Sequence, residues 1–121
     1  MTIRAVPFIP VVLRAIAGAA FILVIAGHGA VAADAVKLEI AIKNHRFQPA
    51  ELKAPAGKAI TLIVHNRDAA PEEFESHDLK VEKVITGNGT ATVHLRALKA
   101  GRYRFVGEYH EDTAKGTLIV E

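Results

Sequence analysis

The feature that most constrains the fold of this chain is a series of short segments in which apolar residues occupy every second position. The first of these segments, VKLEIAIKN, places Leu38, Ile40 and Ile42 on one side and mostly charged residues on the other. This period is that of a β-strand with one face toward water. About seven such strands, separated by Gly and Pro, predict an all-β fold of the β-sandwich or barrel class. Gly87-Asn88-Gly89 predicts a hairpin between two of them.

The N-terminal segment, residues 1–33, has the composition of an export signal. Arg4 and Arg14 precede the apolar run 15–26, after which small residues continue to position 33. These are the charged, apolar and cleavage parts of a secretory signal peptide. We therefore expect cleavage near residue 33, a periplasmic location and no membrane insertion after processing, with an uncleaved membrane anchor as the alternative.

The remainder, residues 34–121, is long enough for one domain and not for two. Two of the 15 basic residues lie in the signal segment, so the remainder balances 13 basic residues against 13 acids. Such a neutral chain lacks the basic surface that nucleic-acid binding requires. The chain also has no cysteine, and its one serine, Ser76, lies in an acidic segment, which argues against a nucleophilic enzyme.

The first candidate site is an acidic segment, residues 68–78. A strand over Glu73-Phe74-Glu75 would send both carboxylates to one face and the phenyl ring to the other. The alternative is a solvated acidic strand, because like charges repel by only a few tenths of a kcal/mol per exposed pair. The acids of the segment are Asp68, Glu72, Glu73, Glu75 and Asp78.

The second candidate site is the loop between the last two predicted strands. It holds His110 among acids, and imidazole and carboxylate groups are ligands for first-row metals. We expect this loop and the acidic segment to meet at one end of the sandwich. Other histidines, namely His45, His65 and His94, are interpreted as exposed on strands or loops. The predicted metal ligands are Glu73, Glu75, His77, Glu108 and His110.

The C-terminal hairpin resembles that of the cupredoxins, small Greek-key sandwiches whose last loop carries a cysteine, a histidine and a methionine that bind copper. His110 falls at the position of the family's histidine and Gly107 at that of its cysteine. Glu72 or Glu73 falls where the family has its first histidine ligand. Because a blue-copper centre depends on a copper–thiolate bond, the resemblance implies a different kind of metal site here.

The segments EEFESHDLKVEK and GRYRFVGEYHEDTAKG are more specifically similar to cupredoxin-like domains of bacterial ferrous-iron uptake systems. This resemblance implies a periplasmic metal-binding protein that holds an iron or copper ion, and it favours a binding protein over an enzyme without deciding between them. Its implied partners are a membrane iron permease or a periplasmic iron-binding protein. Two alternatives stay open: a copper-dependent ferrous oxidase component, and a metal-free module whose acidic segment docks a partner protein.

Overall fold

The computed structural model describes residues 34–121, together with Pro7 and Pro10. The predicted signal peptide therefore lies outside the described residues, apart from these two prolines. Within the described part of the chain, no helix is long and apolar enough to cross a membrane. The strands described are β1 Val36–Lys43, β2 Arg46–Gln48, β3 Glu51–Ala54, β4 Ile60–Asn66, β5 Glu72–Ser76, β6 Val81–Ile85, β7 Thr90–Leu95, β8 Gly101–Gly107 and β9 Lys115–Val120, with a 3-10 turn at Glu108–His110 between the last two.

The strands form two sheets that pack face to face. One sheet has the order β2-β1-β4-β7 and the other the order β3-β9-β8-β5-β6. The β1–β4 and β3–β9 pairs are parallel, and the other pairs are antiparallel. Several sheet neighbours are not consecutive in sequence, so the chain passes repeatedly between the sheets, as Greek-key sandwiches do. The predicted all-β sandwich is confirmed, and β2 and β3 are short strands that the sequence pattern did not reveal.

The Gly87-Asn88-Gly89 turn is tight, but the hairpin predicted there is wrong. The Gly89 N–H donates to the Thr86 carbonyl at 2.9 Å, and Asn88 has a φ of 55°. However, β6 pairs with β5, whereas β7 pairs with β4 in the other sheet. The turn therefore carries the chain from one sheet to the other, because β6 and β7 bury their apolar side chains from opposite sides of the core.

Three phenylalanines in the core fix the position of β5. Phe47 meets Phe105 and Phe74 edge to face, with ring centroids 4.9 Å and 6.0 Å apart. Phe74 and Phe105 are also in contact, with centroids 5.1 Å apart. In the β5–β8 pairing Phe74 lies opposite Gly107, so the start of β5 is next to the end of β8. The β1–β2 turn lies at the same end of the sandwich, because β1 and β4 are parallel and the chain passes from the end of β4 to the start of β5. The Arg67 N–H, directly after β4, donates to the Ile42 carbonyl near the end of β1, at 2.8 Å.

Candidate metal centre

The two-residue turn between β1 and β2 carries a histidine that the sequence interpretation placed on the surface. Asn44 and His45 both have positive φ, 51° and 56°, as a two-residue hairpin of type I′ requires. The Asp68 carboxylate accepts hydrogen bonds from the Asn44 N–H at 2.8 Å and the His45 N–H at 2.9 Å. The Thr113 hydroxyl donates to the His45 carbonyl at 2.6 Å. The backbone of His45 is therefore held from two sides, which fixes the direction of its ring.

The hydrogen bonds to this turn also affect the Asp68 carboxyl group. The His45 N–H, above all, lowers the pKa of Asp68 from its ordinary value of 3.8, and the Asn44 N–H acts in the same direction. Partial burial opposes both effects. Asp68 is consequently an anion at neutral pH, as an acceptor of two N–H groups should be.

Glu72, the first residue of β5, is a buried carboxylate with 1% of its surface exposed. One of its oxygens accepts hydrogen bonds from the Glu73 N–H at 3.0 Å and the Tyr109 N–H at 2.9 Å. Its other oxygen lies 2.6 Å from Nδ1 of His110. A carboxylate is costly to bury unless it is paired and hydrogen-bonded. These contacts supply both conditions and tie the start of β5 to the C-terminal loop.

His45, Glu72 and His110 form a cluster in which one donor atom of each lies within 4.8 Å of the others. The two imidazole rings stack with centroids 3.6 Å apart and an interplanar angle of 27°. Nδ1 of His45 is buried and has no hydrogen-bond partner among the described residues. The Asp68 oxygen, 3.8 Å away, is too distant to be one. A surface depression of about 490 Å³, lined in part by His45 and His110, makes the cluster reachable from solvent.

The donor atoms of this cluster fit a metal ion. Two imidazoles and one carboxylate suit several divalent first-row metals, including iron, copper and zinc. Such an ion lies about 2.1 Å from each donor, which sets tetrahedral donors about 3.4 Å apart. The distance between Glu72 Oε2 and His110 Nδ1 is 2.6 Å, and no pair of donors exceeds 4.8 Å. Small side-chain movements therefore suffice, with the ion replacing the Glu72–His110 hydrogen bond and the ring stack.

Of the ligands predicted from the sequence, His110 belongs to this cluster, whereas Glu73 and Glu108 lie close to each other outside it. The charge of Glu73 is the main cause that raises the pKa of Glu108 from 4.5. Loss of solvation, followed by the charge of Glu73, raises the pKa of Tyr109 from 10.0. Tyr109 is 49% exposed. Together with the carboxyl groups of Glu73 and Glu108 it forms an outer surface beside the cluster.

The structure does not bring Glu75 and His77 to His110. Glu75 lies on the outer face of β5, as the alternation around Phe74 predicted. His77 follows the last residue of β5, about 16 Å along the strand from Glu72 at its first residue. Glu75 and His77 instead line a separate surface depression at the other end of β5.

The ligand set predicted from the sequence contains neither Glu72 nor His45, although the resemblance had placed Glu72 or Glu73 at the position of the family's first histidine ligand. Glu72 shares the parity of Phe74, so the period of the strand already indicated that it faces the core. No comparable signal identified His45, because histidine is not a residue typical of two-residue turns. Its position depends on contacts with Asp68 and Thr113, which are distant in sequence.

Comparison with known proteins supports the fold and shows the family. An uncharacterized protein of Rickettsia prowazekii (strain Madrid E) is 42% identical over 85 residues, which are 70% of this chain and 68% of that protein. Auracyanin A, a "blue" copper protein from Chloroflexus aurantiacus, is similar with a TM-score of 0.63 at 20% identity, over 73% of this chain and 100% of its own. The metal-binding domain of the Cu(I)-exporting P-type ATPase CopA from Streptococcus pneumoniae D39, solved with Cu(I), has a TM-score of 0.61 at 16% identity, over 70% of this chain and 84% of its own.

The match to a protein family covers most of the sequence. The family described as Cupredoxin-like domain matches residues 14–120. This range includes every strand of both sheets and all three residues of the cluster. The chain therefore belongs to the cupredoxin-like domain family.

Proposed function

We propose that this chain is a periplasmic metal-binding protein that holds an iron or copper ion through His45, Glu72 and His110 and serves ferrous-iron uptake. The observation that carries the proposal is the convergence of two imidazoles on a buried carboxylate, with one imidazole nitrogen left without a hydrogen-bond partner among the described residues. Two proteins of similar fold, auracyanin A and the CopA domain, are copper proteins by name. Neither sequence is more than 20% identical to this one. These two proteins therefore support the fold, and their copper binding bears on this chain only by analogy.

The donor set decides which kind of metal chemistry the site supports. The chain has no cysteine, so the ion cannot have the thiolate ligand on which a blue-copper centre depends. Carboxylate and imidazole are harder donors, which suit Fe(II) and Cu(II) better than Cu(I). A bound cation would supply positive charge beside the buried Glu72, and His45 and His110 would hold it from the solvent side.

Thermal unfolding of the purified protein with Fe(II) under anaerobic conditions, Cu(II) or Zn(II) tests whether the site binds a metal. An ion at about 100 times its dissociation constant adds roughly 2.7 kcal/mol to the free energy of unfolding. For a domain of this size, the midpoint of unfolding should rise by on the order of 10 to 20 °C. No rise with any of the three ions would contradict the proposal.

Substitution then identifies the ligands. His45→Ala and His110→Ala should each weaken binding at least about tenfold, which is about 1.4 kcal/mol. Glu75→Gln and His77→Ala are the matched controls, because these residues lie away from the cluster and were predicted as ligands from the sequence. If the controls weaken binding and His45→Ala does not, the sequence-predicted set is the right one. Glu73→Gln and Glu108→Gln extend the comparison to the acidic surface beside the cluster.

The role in iron uptake requires a separate experiment in the cells that produce the protein. Deletion should reduce accumulation of radioactive ferrous iron under iron limitation. Wild-type protein should restore it, and His110→Ala should not. We expect no oxygen-dependent oxidation of iron above a copper-only control, since the proposed role is binding and delivery to a membrane permease or a periplasmic iron-binding protein. Normal iron accumulation after deletion would contradict the transport role and would leave the metal site itself to be judged by the binding measurements.

A metal-free interaction module is the second candidate, and two contacts favour it. The hydrogen bond of 2.6 Å between His110 and Glu72 satisfies the buried carboxylate with protein groups alone. The stacked rings likewise give the two histidines a stable arrangement of their own. In this case a partner protein should be captured equally well before and after chelation of all metals, and His45→Ala should leave capture unchanged.

A further inference from the structure

Gly107, the last residue of β8, is a glycine that its backbone conformation does not require. It has φ −89° and ψ 104°, an extended conformation that any residue adopts. Its N–H donates to the Ala114 carbonyl at 2.9 Å, and it pairs with Phe74 in the sheet. The need for glycine at this position therefore comes from the surrounding space.

The space beside Gly107 is filled by the carboxyl group of Glu72. A Cβ atom at position 107 would lie 2.7 Å from Cδ of Glu72, 2.9 Å from its Oε2 and 2.7 Å from Cβ of Ala114. These distances are well below the separation of about 3.5 Å at which carbon atoms attract each other. Glu72 cannot simply move aside, because two N–H groups and His110 hold its oxygens. A side chain at position 107 therefore requires the Glu72 carboxylate to shift, and a shift would disturb the hydrogen bonds that hold it.

We propose that Gly107 determines which metal ions the site accepts. Because position 107 has no side chain, the Glu72 carboxylate has room to be the buried ligand. The inference rests on the proposed metal-binding function and adds the residue that sets its selectivity. With glycine at position 107 the buried donor atom is an oxygen of Glu72, which favours Fe(II) over Cu(I). A thiol in the same volume would be a soft donor and would reverse this preference.

The test compares substitutions at position 107 in an Ala114→Gly background, which removes the neighbouring methyl group and leaves Glu72 as the crowded partner. Gly107→Ala should displace the carboxylate and weaken Fe(II) binding at least about tenfold, within the range that loss of a supporting contact costs a metal site. Gly107→Cys combined with Glu72→Ala should shift the ratio of the Cu(I) and Fe(II) dissociation constants toward Cu(I) by about tenfold or more. Both affinities are measured anaerobically by competition with chelators.

Gly116→Ala in the same background is the matched control. A Cβ at Gly116 would also be crowded, but against the ring of Phe105 in the core and not against the site. It should lower the midpoint of thermal unfolding and leave the Fe(II) to Cu(I) ratio of the folded protein unchanged.

The outcomes separate this inference from the proposed function. If Ala114→Gly alone binds Fe(II) and Gly107→Ala binds it equally well, Gly107 does not set the selectivity and the inference fails while the metal site stands. If the wild-type protein binds no metal, both fail. If Gly107→Ala does not fold, the double variant Gly107→Cys with Glu72→Ala decides, because it lacks the carboxylate that crowds position 107. An unchanged metal preference in that variant overturns the inference.

Discussion

Glu72 and Ser76 occupy opposite ends of the buried face of β5, each with 1% of its surface exposed, yet their partners differ in kind. The Ser76 hydroxyl donates to the Arg104 carbonyl at 2.6 Å and accepts from the Leu79 N–H at 3.0 Å. Every partner of Ser76 is a backbone group. The second oxygen of Glu72 instead faces the ring of His110.

A polar residue that stabilises the fold differs from a functional one in the groups that its hydrogen bonds reach. Ser76 is neutral, and its contacts join the end of β5 to strand β8 and to the turn after β5 without reaching a titratable side chain. Glu72 is an acid in contact with the ring of His110, and the cluster around it includes a histidine nitrogen without a partner among the described residues. Ligand binding is expected at a buried polar group whose hydrogen-bond partners are titratable side chains. A buried polar group whose partners are all backbone groups is expected to stabilise the fold.

The largest effect is expected from Phe74→Ala, which removes the side chain between the two polar ends of β5. Phe74 is fully buried against two other phenylalanines. Its truncation should cost about 3–5 kcal/mol of the free energy of unfolding, measured by urea denaturation. Val84→Ala, on a side chain that is 54% exposed, should change it by less than about 0.5 kcal/mol. Equal losses in both variants would show that β5 is not held by its core face.

The substitutions Ser76→Ala and Glu72→Gln test whether the two ends of β5 differ in function. Ser76→Ala removes the hydroxyl that bonds the Leu79 N–H and the Arg104 carbonyl, two part-buried hydrogen bonds, and should cost about 1–3 kcal/mol of stability. It should leave the metal-induced rise in the unfolding midpoint unchanged. Glu72→Gln keeps the shape of the side chain but removes its charge, so most of that rise should disappear. A loss of the metal-induced rise in Ser76→Ala would show that the two ends of β5 do not differ in function.

The smallest effect is expected from Asp68→Asn, which weakens the anchor of the His45 turn without touching the core. Because the folded-state pKa of Asp68 is lowered, its ionised form stabilises the fold at pH values above its ordinary value of 3.8. This contribution is lost as the pH falls through the lowered folded-state value. The stability difference between wild type and Asp68→Asn should therefore be present at neutral pH and shrink in acid. Urea denaturation at several pH values measures it, and a difference that is independent of pH would contradict the assignment. Glu39→Gln, on an exposed strand position, is the control.

The two faces of each strand can be assigned from the amino-acid sequence alone. Alternation of apolar residues identified the sandwich and placed Phe74 on the face opposite Glu73 and Glu75, because neighbouring residues of a strand point to opposite sides whatever the rest of the chain does. The resemblance of the C-terminal loop also singled out His110, which belongs to the cluster.

Which loops meet depends on how the strands pair and pack in the folded chain. The Gly-Asn-Gly turn joins two sheets because β6 and β7 pair with strands from earlier in the chain, and such pairing cannot be deduced from the turn itself. His45 reaches His110 because Asp68 and Thr113, far away in sequence, hold its turn. Gly107 matters for a space that exists only once β5 lies beside β8. The side-chain direction within a strand is local, whereas a binding site made from separate loops depends on contacts that form only in the folded chain.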